Sequence, residues 1–241
     1  MICLVYGIPG SGKSTFAKQL QQWSKNHHNE IIRSLNQKLL DGYIYDKVNV
    51  HVLHADNYID NVNRIDNLPM KYSRDCFERA VTLWISPTAD GVDNESRTTD
   101  DLDQSRERST SQSSSSETNI QEGQTELVIN RIRSRIERDT GFYCQGLTIP
   151  DINNKNLAVF NLIVIDDVFF YRSMRKPFKL LSRDLQMSYC EIKVECSVNV
   201  ALERDRMRTN SDRVGDEVIN KMNRLMELPE TKNDYLLHHG A

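Results

Sequence analysis

GIPGSGKST, residues 7–15, follows the short apolar run Ile2-Cys3-Leu4-Val5-Tyr6, and every later reading turns on it. Gly7-Ile8-Pro9-Gly10-Ser11-Gly12-Lys13-Ser14 fits G-x-x-x-x-G-K-[ST] at each position. Backbone N–H groups can converge on one anion only where no Cβ obstructs the loop, which is what glycines at 7, 10 and 12 provide. Lys13 is then placed to reach the β- and γ-phosphates, and the Ser14 hydroxyl to ligate Mg²⁺. The apolar run suits a buried parallel strand, and Thr15 to Leu20 continue as a helix whose N-terminus faces the phosphates. Strand, loop and helix together predict that Gly7 to Thr15 hold a nucleoside triphosphate, with ATP and Mg²⁺ as the expected cofactors.

A chain of 241 residues suits one domain with additions. No run of 18 apolar residues and no leader pattern is present, so a cytoplasmic protein without a membrane partner is expected. Five cysteines, an odd count without a C-x-x-C pair, argue against a disulfide framework or a zinc site.

Residues 86–125 break the pattern. They hold only Ala89, Val92, Leu102 and Ile120 as aliphatic residues, against nine acids and three arginines. Too little apolar area is available to offset the entropy of ordering, so a disordered acidic, Ser-rich insertion is expected. The chain's −3 less the segment's −6 leaves about +3 for the remainder, which is compatible with nucleic acid without requiring it. Basic residues cluster twice: Arg131, Arg133, Arg135 and Arg138, then Arg172, Arg175, Lys176, Lys179 and Arg183. Solvated helix faces account for most such runs.

The remainder alternates strand and helix. Strands are expected over 48–54, 157–165 and 188–195, and helices over 68–85, 126–139, 171–185 and 198–207. This predicts an α/β P-loop kinase fold, a parallel sheet with helices on both faces. Residues 1–85 and 126–215 would form that domain, and 216–241 a C-terminal helix and tail.

Asp166 and Asp167 end the most apolar strand, where a carboxylate orients the water shell of Mg²⁺. Together with Ser14 they form the expected metal set. Asp56 closes the second strand, at the carboxyl edge where open α/β sheets bind ligands, and is placed to take the acceptor hydroxyl's proton. Asp60, a turn later, reads as structural. Arg204 and Arg208, spaced i, i+4 on one face of a helix entering a polar loop, could neutralise charge on a transferred phosphoryl, while Arg206 points elsewhere. Lys13, Asp56, Arg204 and Arg208 are the expected catalytic residues.

Asp166 to Arg175 (DDVFFYRSMR) resembles the D-D-x-x-Y-x-S-M-R block of O-phosphoseryl-tRNA(Sec) kinases, also called L-seryl-tRNA(Sec) kinases. The likeness continues through Ser188-Tyr189-Cys190-Glu191-Ile192, Glu203 to Arg208, Met226-Glu227-Leu228-Pro229-Glu230 and Lys232-Asn233. It implies transfer of the ATP γ-phosphate to the serine hydroxyl of an aminoacylated tRNA, Ser-tRNA(Sec), giving O-phosphoseryl-tRNA(Sec) for selenocysteine synthesis. Val168 stands where the family often has Asn, and the family's C-terminal tRNA-binding domain is expected to be absent. Two other readings stay open: a small-metabolite P-loop kinase, and a nucleotide-switched partner protein like the family's Elongator-associated relatives.

Overall fold

Ile2–Tyr6 is buried throughout and Ala158–Asp166 is apolar apart from Asn161 and the closing Asp166, and they lie side by side at the centre of one sheet. The computed structural model describes residues 1–38, 44–59, 70–86, 115–141, 158–209 and 212–229. Its elements run β1 Ile2–Tyr6, α1 Lys13–Asn26, α2 His28–Lys38, β2 Tyr45–His54, α3 Met70–Ile85, α4 Ser115–Thr140, β3 Ala158–Asp166, α5 Arg172–Asp184, β4 Tyr189–Lys193, α6 Val198–Arg206 and α7 Asp216–Leu225. The four strands pair in parallel in the order β2-β3-β1-β4, so the fold is α/β with a parallel sheet flanked by helices, as expected. The register sets Val5 beside Asp166 and His54 beside Asp166, which aligns the ends of three strands.

The chain divides into two units, Met1–Asn57 with Ile149–Ala241, and Tyr58–Thr148. In the first, alternate residues of β1 face opposite sides of the sheet. Cys3 and Val5 join Val164 and Ala17, with Phe16 and Leu20 of α1 packed against them. Phe178 and Leu181 bury the apolar side of α5. In the second unit α3 packs on α4. Cys76, Phe77, Ala80, Val81 and Trp84, the positions expected at helical spacing, are buried, as are Val128, Ile129, Ile132 and Ile136.

Some boundaries differ from the sequence reading. β2 begins at Tyr45 rather than 48, and α2 lies in a stretch to which no element was assigned. Residues 55–59 turn helical, so Asp56 opens a helical stretch beyond the strand end. α4 begins at Ser115, eleven residues before the expected 126, so residues 115–125 are helical where an insertion was expected. Glu117, Gln121, Glu122 and Gln124 are good helix formers despite their polarity. The rest of that insertion, residues 87–114, lies outside the described residues, as do Asp60, Cys144 and the tail from 230.

One buried guanidinium holds the first unit together. Arg175, 2% exposed, stacks over the Tyr6 ring at 4.5 Å and pairs with Glu191 of β4 at 3.0 Å. It also donates to Phe169 O at 2.6 Å and to Glu227 O at 3.0 Å. Phe169 sits at φ 41°, a costly conformation for a side chain of that bulk, and its carbonyl is held there by Arg175. Glu227 also bonds Phe170 O through its N–H at 2.8 Å and accepts from Arg172 N at 2.6 Å. The Ser173-Met174-Arg175 and Met226-Glu227-Leu228 blocks, fifty residues apart, are therefore one packed unit.

Replacing Arg175 with Met should cost about 3 kcal/mol in urea unfolding, because Glu191 and two carbonyls lose their buried partner. Arg175→Lys should recover little, since one ammonium cannot reproduce the planar fork. Wild-type stability in either variant would show that the network carries no weight.

Candidate functional site

The P-loop of residues 7–12 connects β1 to α1, and its shape follows from close backbone approaches. Gly7 N–H bonds Val168 O at 3.4 Å, and Ser11 N–H bonds Ile8 O at 3.1 Å. A Cβ at Gly7 would lie 2.4 Å from Val194 O, and one at Gly10 2.6 Å from Ala201 O. Both glycines have positive φ, so no other residue would fit without moving β4's exit or α6. Ile8 anchors the loop in a second apolar cluster with Ala201 and Ile219, which ties it to α6 and α7. The Ser11 hydroxyl is buried with no partner of its own, a donor ready for an anion.

Lys13 opens α1, is 9% exposed, and donates to Ile8 O at 3.1 Å across the loop. Burial pushes its pKa down; Asp166, Asp167 and Asp56 act in the opposite sense, and Arg208 lowers it further. A phosphate beside the ammonium would favour its charged form. The sequence-predicted groups thus gather around Lys13: Asp56 just beyond β2, Asp166 and Asp167 at the end of β3, and Arg208 just beyond α6. Arg204 joins them by donating to Gly10 O at 3.0 Å. Ser14 and Thr15 are exposed in the first turn of α1, and Pro9 is buried within the loop. Arg206 points away, to Asp216 at the start of α7.

His54 was not singled out from the sequence. Its Nδ1 lies 2.8 Å from Asp166 Oδ2, the acid next to it in the strand register. A lone histidine at a strand end carries no motif, and only the pairing of β2 with β3 exposes the contact. It occupies one carboxylate oxygen of Asp166. The other, Oδ1, is buried without a partner. Asp167 turns differently: its Oδ1 accepts from Val168 N at 2.6 Å. An orphaned carboxylate oxygen fits a magnesium ion, and Ser14, in the first turn of α1 after the neighbouring strand β1, could supply a second ligand. Among the described residues no three His, Cys, Asp or Glu side chains form a metal cage. A nucleotide-bound magnesium keeps waters and phosphate oxygens and takes few protein ligands.

Asp205 shapes the segment that follows α6, and sequence reading passed over it. It is fully buried and accepts from Val214 N at 3.1 Å and Gly215 N at 3.0 Å, with Arg208 Nη1 at 3.5 Å from Oδ1. Burial acts to raise its pKa, but the Gly215 and Val214 N–H bonds with Arg208 and Arg213 outweigh it and hold the carboxyl below its ordinary value. This ties the end of α6 and Arg208 to the start of α7.

Beside the P-loop an open cleft of about 480 Å³ is lined by Gly7, Ile8, Val194, Cys196, Met226 and Leu228, among others. Among the described residues no helix is long and apolar enough to cross a membrane.

Comparison with known proteins finds a family match in the second half of the chain and partial similarity to two kinases. Residues 149–235 match the family model described as Chromatin associated protein KTI12. L-seryl-tRNA(Sec) kinase of Mus musculus is 31% identical over 78 residues, 32% of this chain and 21% of that protein. The Homo sapiens protein of the same name is 29% identical over 78 residues, 32% of this chain and 22% of its own length. The alignment thus spans about a fifth of those relatives. Fold, loop and similarity together define a P-loop, kinase-like nucleotide-binding protein.

Asp205→Asn should lower stability at neutral pH by about 2 kcal/mol, the scale of charge-assisted hydrogen bonds. Because the folded carboxyl sits below its unfolded value, that stabilisation is present above about pH 4 and is lost as pH falls through the folded pKa. The gap between wild type and variant in thermal melts should therefore narrow in acid. A gap that widens in acid would contradict the assignment.

Proposed function

We propose that this chain transfers the γ-phosphate of ATP to the serine hydroxyl of Ser-tRNA(Sec), giving O-phosphoseryl-tRNA(Sec) and ADP. The observation that carries the phosphoryl-transfer part is the buried Lys13 ammonium, with three carboxylates from two strand ends and Arg208 acting on it. The similarity to L-seryl-tRNA(Sec) kinases supports the choice of acceptor. The Ser173-Met174-Arg175 block supports it less directly, because Arg175 acts in the core.

Each residue has a role on this reading. The P-loop N–H groups and the Ser11 hydroxyl bind the β- and γ-phosphates, and Lys13 meets the charge that moves onto the bridging oxygen. Ser14, Asp166 and Asp167 would hold magnesium, which when bound neutralises phosphate charge and fixes its orientation. His54 keeps Asp166 Oδ2 engaged, so that Oδ1 is the oxygen presented. Asp56 accepts the serine proton as the hydroxyl attacks, and Arg204 and Arg208 neutralise the equatorial oxygens. The cleft lined by Gly7, Val194 and Met226 would take the base and ribose.

The match to the family Chromatin associated protein KTI12 supports a second reading, a nucleotide-binding partner protein without an acceptor. ATP consumption with Ser-tRNA(Sec), uncharged tRNA or no RNA separates the two.

Lys13→Ala should lower turnover at least 10²-fold, about 3 kcal/mol of transition-state stabilisation. Wild-type-like ATP turnover there would overturn the site. Asp56→Asn should lower single-turnover transfer by about 10²-fold while ATP affinity stays within a few-fold. Equal losses in both would make Asp56 a ground-state organiser of nucleotide and metal.

A further inference from the structure

The two basic clusters of the sequence meet different local surroundings. On α4 two of the four arginines have ion-pair partners on the same helix: Arg133 pairs with Glu137 at 3.3 Å and Arg135 with Asp139 at 3.6 Å. On α5 the pattern differs. Arg175 turns into the core, and Arg172, Lys176, Lys179 and Arg183 remain exposed. At 3.6 residues per turn these four fall within an arc of about 60° and extend about 16 Å along the helix. Among the described residues Lys176 and Lys179 pair with no carboxylate, and neither has an acid three or four residues away. Among the described residues Arg183 pairs with exposed Asp184 alone, at 3.5 Å.

Local stability does not account for this stripe. Like charges at i, i+3 and i, i+4 destabilise a helix. The helix dipole favours a cation at Arg183 but disfavours Arg172 and Lys176 in the first turns.

We propose that this face of α5 is an RNA-binding surface that tracks the phosphate backbone. A line of cations at one-turn intervals complements a polyanion of repeating charge. An anionic membrane fits less well, because interfacial helices insert apolar residues beside their cations. Here Phe178 and Leu181 are buried, and none of the exposed large hydrophobic residues lies on α5. The stripe begins at Arg172, five residues after Asp167, and runs away from the carboxyl edge of the sheet. An RNA whose serine-bearing end sits at that edge would lay its backbone along the stripe. The inference rests on the proposed RNA-linked acceptor and names the surface that holds it.

The test is fluorescence anisotropy with an in vitro transcribed tRNA from low to moderate salt, on wild type, K176A/K179A and K176R/K179R. The alanine pair should weaken binding about tenfold near 0.1 M salt and reduce the slope of log K against log salt by roughly 1.4–1.8, two phosphate contacts. The arginine pair should bind as wild type, and ATP affinity and the thermal transition should be unchanged in both. An unaltered slope in the alanine pair would overturn the proposal. So would a wild type that binds no tRNA, or lysine dependence seen only with phosphatidylserine vesicles or polyglutamate. If tRNA binding depends on the lysines but serine is not phosphorylated, the catalytic reading fails and the surface stands. If the alanine pair binds tRNA and phosphorylates RNA-linked serine as wild type does, the surface fails and the catalytic reading stands.

Discussion

The Arg175 guanidinium is the constraint on which the nucleotide edge rests. A buried cation is costly unless it is compensated, and here the guanidinium donates to Phe169 O and Glu227 O, ion-pairs with the Glu191 carboxylate and is covered on one face by Tyr6. Each partner belongs to a different part of the first unit: the end of β1, the loop after β3, β4, and the segment after α7. Because Gly7 N–H in turn bonds Val168 O, the same loop that Arg175 clamps also supports the start of the P-loop. Fold and site share one polar network.

From that frame the electrostatics follow. Lys13 is desolvated enough for its charged form to be disfavoured, and the acids at the ends of β2 and β3 work against that burial. His54 and Val168 N–H each engage one acid, so Asp166 and Asp167 are held in different orientations despite being neighbours. On the α6 side, buried Asp205 ties the helix to Val214 and Gly215, while Arg204 on the same helix donates to Gly10 O. The site is assembled by second-tier polar contacts more than by the motif itself.

Much of this was legible in the sequence. A glycine-rich loop between an apolar strand and a helix admits few geometries, and an apolar strand ending in Asp166-Asp167 pointed to the same edge. Asp56, Arg204 and Arg208 were legible through their places at element ends. His54 and Asp205 were not, because a contact between residues 54 and 166, or a carboxylate bonding backbone nine residues on, leaves no periodic trace. Arg175 was misleading in the opposite sense: in sequence it belongs to a basic cluster, in space to the core. The start of α4 was missed because polar Glu and Gln residues form helix as readily as they form solvated loop.

The most direct test follows the label. Incubated with γ-labelled ATP and Ser-tRNA(Sec), the chain should move label onto RNA, and mild alkaline deacylation should release it as phosphoserine. ATP binding without labelled phosphoserine, or label transferred equally well to uncharged tRNA, would contradict transfer to the tRNA-linked serine.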